Sequence, residues 1–152
     1  MGQDDCVSTD VLPDRPVIKE ADAEQREAIY RARHEVYAVE LGQHESNAEG
    51  RLCDRIDAFN RYLVATRDGS LAAFVSITPP GPNGFSIDKY FDRDDLPFEL
   101  GSAAYEIRLL TVLKQYRDTD LAATLMVAAF RWIESRGGSK VVAIGRDEVT
   151  EM

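Results

Sequence analysis

Residues 104–144 decide the fold: AYEIRLLTV (104–112), LKQYRDT (113–119), DLAATLMVAAFRWIES (120–135), RGGS (136–139) and KVVAI (140–144). The first piece alternates polar and apolar residues early and becomes wholly apolar late, which predicts the longest strand of the chain. From Asp120 to Ser135, Leu121, Leu125, Ala128 and Trp132 recur at helical spacing and Gly137-Gly138 stops the run, so a helix is expected there. Lys140 to Ile144 reads as a short buried strand. A strand, a helix and a further strand in succession call for a right-handed crossover joining two parallel neighbours.

Upstream, Tyr62 to Thr66 and Leu71 to Thr78 flank Asp68-Gly69, the strongest short signal for a β-hairpin, and Pro79-Pro80-Gly81-Pro82 stops its second strand. Val17-Ile18-Lys19 reads as a strand. The next segment, from about Ala23 to Val39, reads as a helix with an apolar stripe of Ile29, Ala32, Val36 and Tyr37. A polar loop spans Gly42 to Asp54. Residues 1–15, with Asp4, Asp5, Asp10 and Pro13, are expected to be a disordered leader, and residues 16–152 one domain. The element order of strand, helix, hairpin, long strand, helix and strand gives an α/β layer structure with a mixed central sheet flanked by helices.

Composition narrows the function classes. With 18 basic and 27 acidic residues the net charge is −9, which repels nucleic acid and anionic membranes, so neither is expected as a partner. An anionic substrate then needs a local basic pocket. The two cysteines, Cys6 and Cys53, form neither a CxxC pair nor a cluster with His34 or His44, so no metal site or disulfide framework is expected. The start of the chain has neither the basic nor the apolar region of a signal peptide, and no apolar run is long enough for a membrane span, which makes a cytoplasmic location the expectation.

Several short motifs stand in a recognisable order: Arg33-His-Glu-Val-Tyr37, Leu41-Gly42, the acid pair Asp54 and Asp57, Asn60-Arg-Tyr-Leu-Val64, the proline step Ser76-Ile-Thr-Pro-Pro80, Phe91, and Glu106 with Arg108 on the long strand. In that order they resemble the GNAT superfamily of N-acyltransferases, in its autoinducer (acyl-homoserine-lactone) synthase and N-acyl amino acid synthase branch. The resemblance covers about residues 17 to 145. It implies a GNAT-like acyl-CoA N-acyltransferase fold. Family members continue for another helix and a closing hairpin, so the domain is expected to be C-terminally incomplete, with a sheet edge at Lys140 to Ile144 that invites pairing with a second chain, a dimer included. The chain departs from the branch at Gln43, where the family has Trp, at Ser76, where it has Arg, and in the shorter spacing of Glu106 and Arg108. These departures favour the acyltransferase class over a homoserine-lactone product.

Acyl transfer from a thioester to an amine needs a neutral amine, a polarised carbonyl and a reprotonated thiol, so one base and a few fixed donors suffice. Residues two apart on a strand share a face, so Glu106 and Arg108 should project together as the floor of a site, with Glu106 as candidate base and Arg108 beside it as the second catalytic residue. An ion pair between them is the competing structural reading. Arg33 interrupts an apolar helix stripe and wants carboxylates, for which Asp54 and Asp57 are the candidate partners. The resemblance implies acceptor-side, substrate-binding duties for Arg33, Tyr37, Asp54 and Asp57, and a donor-pocket place for Phe91. It also implies that the acyl donor lies along Leu110 and Val112 and at the loop and helix start formed by Arg117, Thr119, Leu121 and Ala122.

That loop, Tyr116-Arg-Asp-Thr-Asp-Leu-Ala122, carries Asp118 and Asp120 where the superfamily places glycines, although Asp120 suits a helix N-cap. No tightly bound cofactor is implied. The donor substrate is acyl-CoA or an acyl carrier protein, the latter docking on Arg26, Arg31, Lys114 and Arg117. Leu125, Met126, Phe130 and Trp132 are expected in the core, leaving Phe91 and Phe98 for an acyl tunnel. The leading expectation is an N-acyltransferase acting on a small amine or amino acid. Its rival is a catalytically inactive GNAT-like domain that binds an acyl carrier or a partner domain.

Overall fold

The computed structural model describes residues 15–145. Five strands, β1 (Val17–Glu20), β2 (Arg61–Arg67), β3 (Ser70–Thr78), β4 (Ala104–Val112) and β5 (Lys140–Ala143), form one sheet in sequence order. β1 to β4 are antiparallel neighbours and β4 pairs with β5 in parallel, which is the mixed sheet and crossover the sequence calls for. Most of the expected leader, and the polar run from Arg146 onward, lie outside the described residues. Asp68 and Gly69 both have positive φ, 49° and 74°, as a two-residue hairpin turn of the type matching strand twist requires.

Each face of the sheet buries a different helix. α2 (Leu121–Glu134) packs Leu121, Leu125, Ala129 and Ile133 on Leu63, Ala65, Ala73, Val75, Tyr105 and Ile107. Those four helix positions recur every four residues and form one stripe. Phe130, expected in the core, lies off that stripe and is exposed, whereas Trp132 packs at its margin. α1 (Ala23–Arg33) covers the opposite face, with Ile29 against Tyr62, Val64 and Phe74. It opens on a capping box in which Asp22 and Gln25 each accept the other's backbone N–H.

The expected single helix from Ala23 to Val39 changes pitch partway. Residues His34–Glu40 form a π-helix, with the Leu41 N–H reaching back to the Val36 carbonyl. The wider turn rotates the stripe, so that Arg33, His34, Val36 and Ala38 are buried while Tyr37 is half-buried. A second irregularity lies in β4. Phe74 faces Thr111 and Ser76 faces Arg108, which leaves Val75 opposite two residues, Leu109 and Leu110. Leu109 takes φ 57°, a strained choice for a branched side chain, and Leu110 is turned outward. This bulge is the physical reason the alternation of β4 fails midway. β5 pairs with β4 only from Ala104 to Ile107, so the outer flank of β4 is open from Arg108 onward.

Asp120 occupies the N-cap position of α2 but makes no side-chain cap bond, contrary to expectation; Thr119 Oγ1 lies 3.5 Å from the Leu121 N–H instead. Among the described residues no helix is long and apolar enough to cross a membrane. At the far end of α2, a Cβ on Gly138 would stand 2.3 Å from Ile133 Cγ2 and 2.7 Å from the Tyr105 ring. Gly138→Ala is expected to lower stability by about 1–3 kcal/mol, an overpacking cost. Thermal unfolding of the variant checks this, and a melting point equal to wild type would show that α2 and β5 approach less closely.

Candidate functional site

The cluster begins with a short turn. Asp54 caps the 3₁₀ segment Arg55–Ala58 by accepting the Ile56 and Asp57 N–H groups, and Asp57 accepts the Asp54 N–H at 2.5 Å in return. Reciprocal capping locks the two carboxylates side by side. Arg33, arriving from α1, donates to Asp57 at 2.6 Å and to Asp54 at 3.4 Å. Arg108, arriving from β4, donates to both oxygens of Asp54 at 2.8 and 2.9 Å and reaches Asp57 at 3.4 Å. Tyr62 and Asn60 complete the ring by donating to Asp57 at 2.6 and 3.1 Å, and Asn60 also donates to Ser76 Oγ. Arg26 ties the turn down through the Asp57 and Asn60 carbonyls.

Asp57 is buried, whereas Asp54 keeps 32% of its side chain exposed. Burial alone would lift the Asp54 carboxyl; the hydrogen bonds and charge of Arg108, with the charge of Arg33, outweigh it and hold the group well below the usual carboxylate range. Burial pushes the Tyr62 phenol up, with Asp57 adding to the effect and Arg33 opposing it. Asp54 is therefore an ionised carboxylate at neutral pH with one side facing solvent. It faces into a cleft of about 870 Å³ walled by Pro79 to Gly84 and lined by Arg26, Tyr30, Arg51, Cys53, Asn60, Arg61 and Thr78.

Glu106 and Arg108 do lie on one face of β4, the face toward α1, yet they take different partners. The Glu106 carboxylate is fully buried and accepts the Ser86 N–H at 2.8 Å, the Ser86 hydroxyl at 2.5 Å and the Ile87 N–H at 3.0 Å. A carboxylate with no exposed surface and three donors on it anchors a turn, and it offers no accessible oxygen to an amine. This corrects the expectation that Glu106 and Arg108 pair with each other: each carboxylate and guanidinium finds its partner elsewhere. Tyr37 joins β4 elsewhere: its hydroxyl lies 2.9 Å from Thr111 Oγ1, which donates to the Leu109 carbonyl at the bulge.

The donor-side candidates are scattered. Leu110 is exposed on the open flank of β4 and Val112 is half-buried. Leu121 is fully buried in the α2 core, so its side chain cannot line a site, and Ala122 is half-buried beside it. Thr119 donates to the Tyr116 carbonyl. Arg117 is bound to Glu40, and Arg26 is committed to the turn, which removes both from the expected basic docking patch. Phe91 and Phe98 are exposed and do not line the cleft of about 870 Å³ that Asp54 faces. Asn60, Tyr62 and Thr78 stand in motifs visible in the sequence but were not singled out there as site residues.

Thr78 Oγ1 is buried without a hydrogen-bond partner. Thr78→Val keeps the shape and removes that hydroxyl, so stability should rise by about 1 kcal/mol; a urea midpoint that stays put or falls would show the hydroxyl to be bonded. Asp54 gives a pH prediction. Its folded-state ionisation lies below that of the unfolded chain, so its stabilising contribution is fully present above the unfolded value of about 4 and is lost as pH falls further. The stability gap between wild type and Asp54→Asn should hold from neutral pH down to about 5 and narrow below about 4, as read from denaturation at each pH.

A family model described as an acetyltransferase (GNAT) domain matches residues 32–127. No curated protein matches. Among solved structures, the chain is similar to BjaI, a CoA-dependent acyl-homoserine lactone synthase solved with SAM and isopentyl-CoA, at 20% identity and a TM-score of 0.73 over 88% of this chain and 68% of that one. It is similar also to the AHL synthase LasI, at 15% identity and a TM-score of 0.72 over 91% of this chain and 76% of that one. An aminoglycoside N-acetyltransferase in complex with CoA follows at 16% identity and a TM-score of 0.59, covering 91% and 82%. The chain thus spans about two thirds to three quarters of the synthase chains, and at these identities the likeness is one of fold.

Proposed function

The chain belongs to the acetyltransferase (GNAT) domain family, and on that premise we propose that it is an N-acyltransferase that moves an acyl group from a thioester, on coenzyme A or an acyl carrier protein, to a small amine or amino acid. The observation that carries the reading is the buried cluster of Arg33, Asp57, Asp54 and Arg108, which ends in one half-exposed carboxylate at the rim of a cleft. Such a carboxylate, kept ionised by two guanidinium groups, attracts an ammonium group and orients it. The cleft is of the size that small-molecule sites occupy.

In this reading Asp54 holds the acceptor, with Arg33, Asp57 and Tyr37 as positioning residues behind it. Arg108 fixes Asp54 from the β4 side, and Glu106 fixes the turn at Ser86 that follows the proline wall. The thioester lies along the open flank of β4 at Leu110 and Val112, with its carrier end near Arg117, Thr119 and the backbone of Leu121 and Ala122. The bound ammonium loses one proton to water in the cleft, its nitrogen attacks the thioester carbonyl, and the adduct gives a second N–H proton to water. The C–S bond then breaks and the departing thiolate takes a proton from solvent, so the chemistry asks chiefly for placement and charge.

Incubating the protein with acyl-CoA, or with an acyl thioester of N-acetylcysteamine, and pooled amino acids and small amines should release free thiol in proportion to amine. Mass spectrometry should show the matching amide. Asp54→Asn is expected to lower kcat/KM for the acceptor by about tenfold or more, the equivalent of one lost charge-assisted contact. Thiol release that ignores amine, or an Asp54→Asn variant as active as wild type, sinks this reading.

A further inference from the structure

Arg117 is the one arginine at the start of α2 that a phosphate-bearing donor could use, and the fold has already engaged it. Both terminal nitrogens donate to the Glu40 carboxylate, Nη2 at 3.0 Å to Oε2 and Nη1 to Oε1, while Nε donates to the Val112 carbonyl at 3.2 Å. All three guanidinium nitrogens are therefore occupied. Glu40 is the last residue of the π-helix, 77 positions away in the chain, so the pair joins the end of that helix to the loop before α2. The Arg117 hydrogen bond holds the Glu40 carboxyl below its usual range, which keeps the pair charged at neutral pH. The rest of the loop adds one further cation, Lys114, whose charge also acts on the Glu40 carboxylate. Asp118 sits at φ 63°, Asp120 leaves the helix uncapped by its side chain, and Thr119 turns back to the Tyr116 carbonyl.

We infer that Glu40 is a specificity-determining residue that withholds Arg117 from donor phosphates, so that the site favours thioesters presented without a diphosphate at the start of α2. The inference rests on the donor placement given above and deepens it. A diphosphate arriving there must displace Glu40 from Arg117 and lie close to Asp118 and Asp120, a contest between anions for one guanidinium. A phosphate-free thiol arm meets no such contest. An exposed ion pair of this kind is worth little to stability, so Glu40 can be changed without unfolding the chain.

Isothermal titration at low salt with two probes, coenzyme A and pantetheine, separates the outcomes, since they share the thiol arm and differ in the phosphates. Glu40→Gln should bind coenzyme A about 3- to 10-fold more tightly than wild type, with pantetheine unchanged, as expected when a competing anion is removed. Adding Arg117→Ala to Glu40→Gln should abolish the gain. Coenzyme A affinity that stays the same or weakens in Glu40→Gln, or a gain shared equally by pantetheine, overturns the inference while leaving the donor placement standing. If neither probe binds wild type or either variant, the donor placement itself falls and takes the inference with it.

Discussion

Asp57 is the constraint around which the described part of this fold is arranged. Its two oxygens accept from Arg33, Tyr62, Asn60, Arg108 and the Asp54 N–H, so a single buried carboxylate ties α1, the 54–58 turn, β2 and β4 to one another. A buried anion with fewer partners would be costly, and a buried guanidinium with none more so. Each member therefore requires the others. The outcome of that mutual requirement is the position of Asp54, which is capped, clamped by Arg108 and left with one side open to the cleft.

Two departures from regular geometry complete the frame. The π-helix widens the turn that carries Tyr37, and the bulge at Leu109 swings Thr111 back to the α1 face, so the two hydroxyls meet at 2.9 Å. Neither irregularity suffices alone: without the bulge, alternation would send Thr111 to the α2 side, and without the wide turn the Tyr37 face would point elsewhere. Strain at a Leu in the left-handed region is tolerated because Thr111 bonds the Leu109 carbonyl and the surrounding sheet fixes the register.

The sheet was legible because its signals are local. Asp68-Gly69, the helical spacing of Leu121 and Leu125, and the apolar run at Lys140 each state a turn, a helix or a strand within a few residues, although β5 is an edge strand with Val141 exposed and not the buried strand expected. The partners of Arg33 were legible too, since a charge on an apolar stripe must find a carboxylate. What stayed hidden is non-local. Nothing in Glu106-Ile-Arg108 says that one side chain will be taken by a turn 20 residues earlier and the other by a turn 54 residues earlier; only the sheet register decides it. The π-helix was unreadable for a related reason, because the residues that Arg33 and Tyr37 contact at its two sides lie far along the chain.

Charge is distributed unevenly between the two ends of the proposed reaction path. At the cleft, Arg26, Arg51 and Arg61 line the walls around a single half-exposed acid, and Arg51 spans from Glu27 to the face of the Tyr30 ring. At the start of α2 the one arginine is neutralised by Glu40 and stands among Asp118 and Asp120. The cleft arginines are engaged as well, Arg51 with Glu27, Arg61 with Glu20 and Arg26 with the carbonyls of the turn, so neither end carries a free excess of positive charge. The acceptor placement proposed above therefore rests on Asp54 and the guanidinium groups that clamp it rather than on a net field, and the donor placement on the open flank of β4 rather than on phosphate-binding cations.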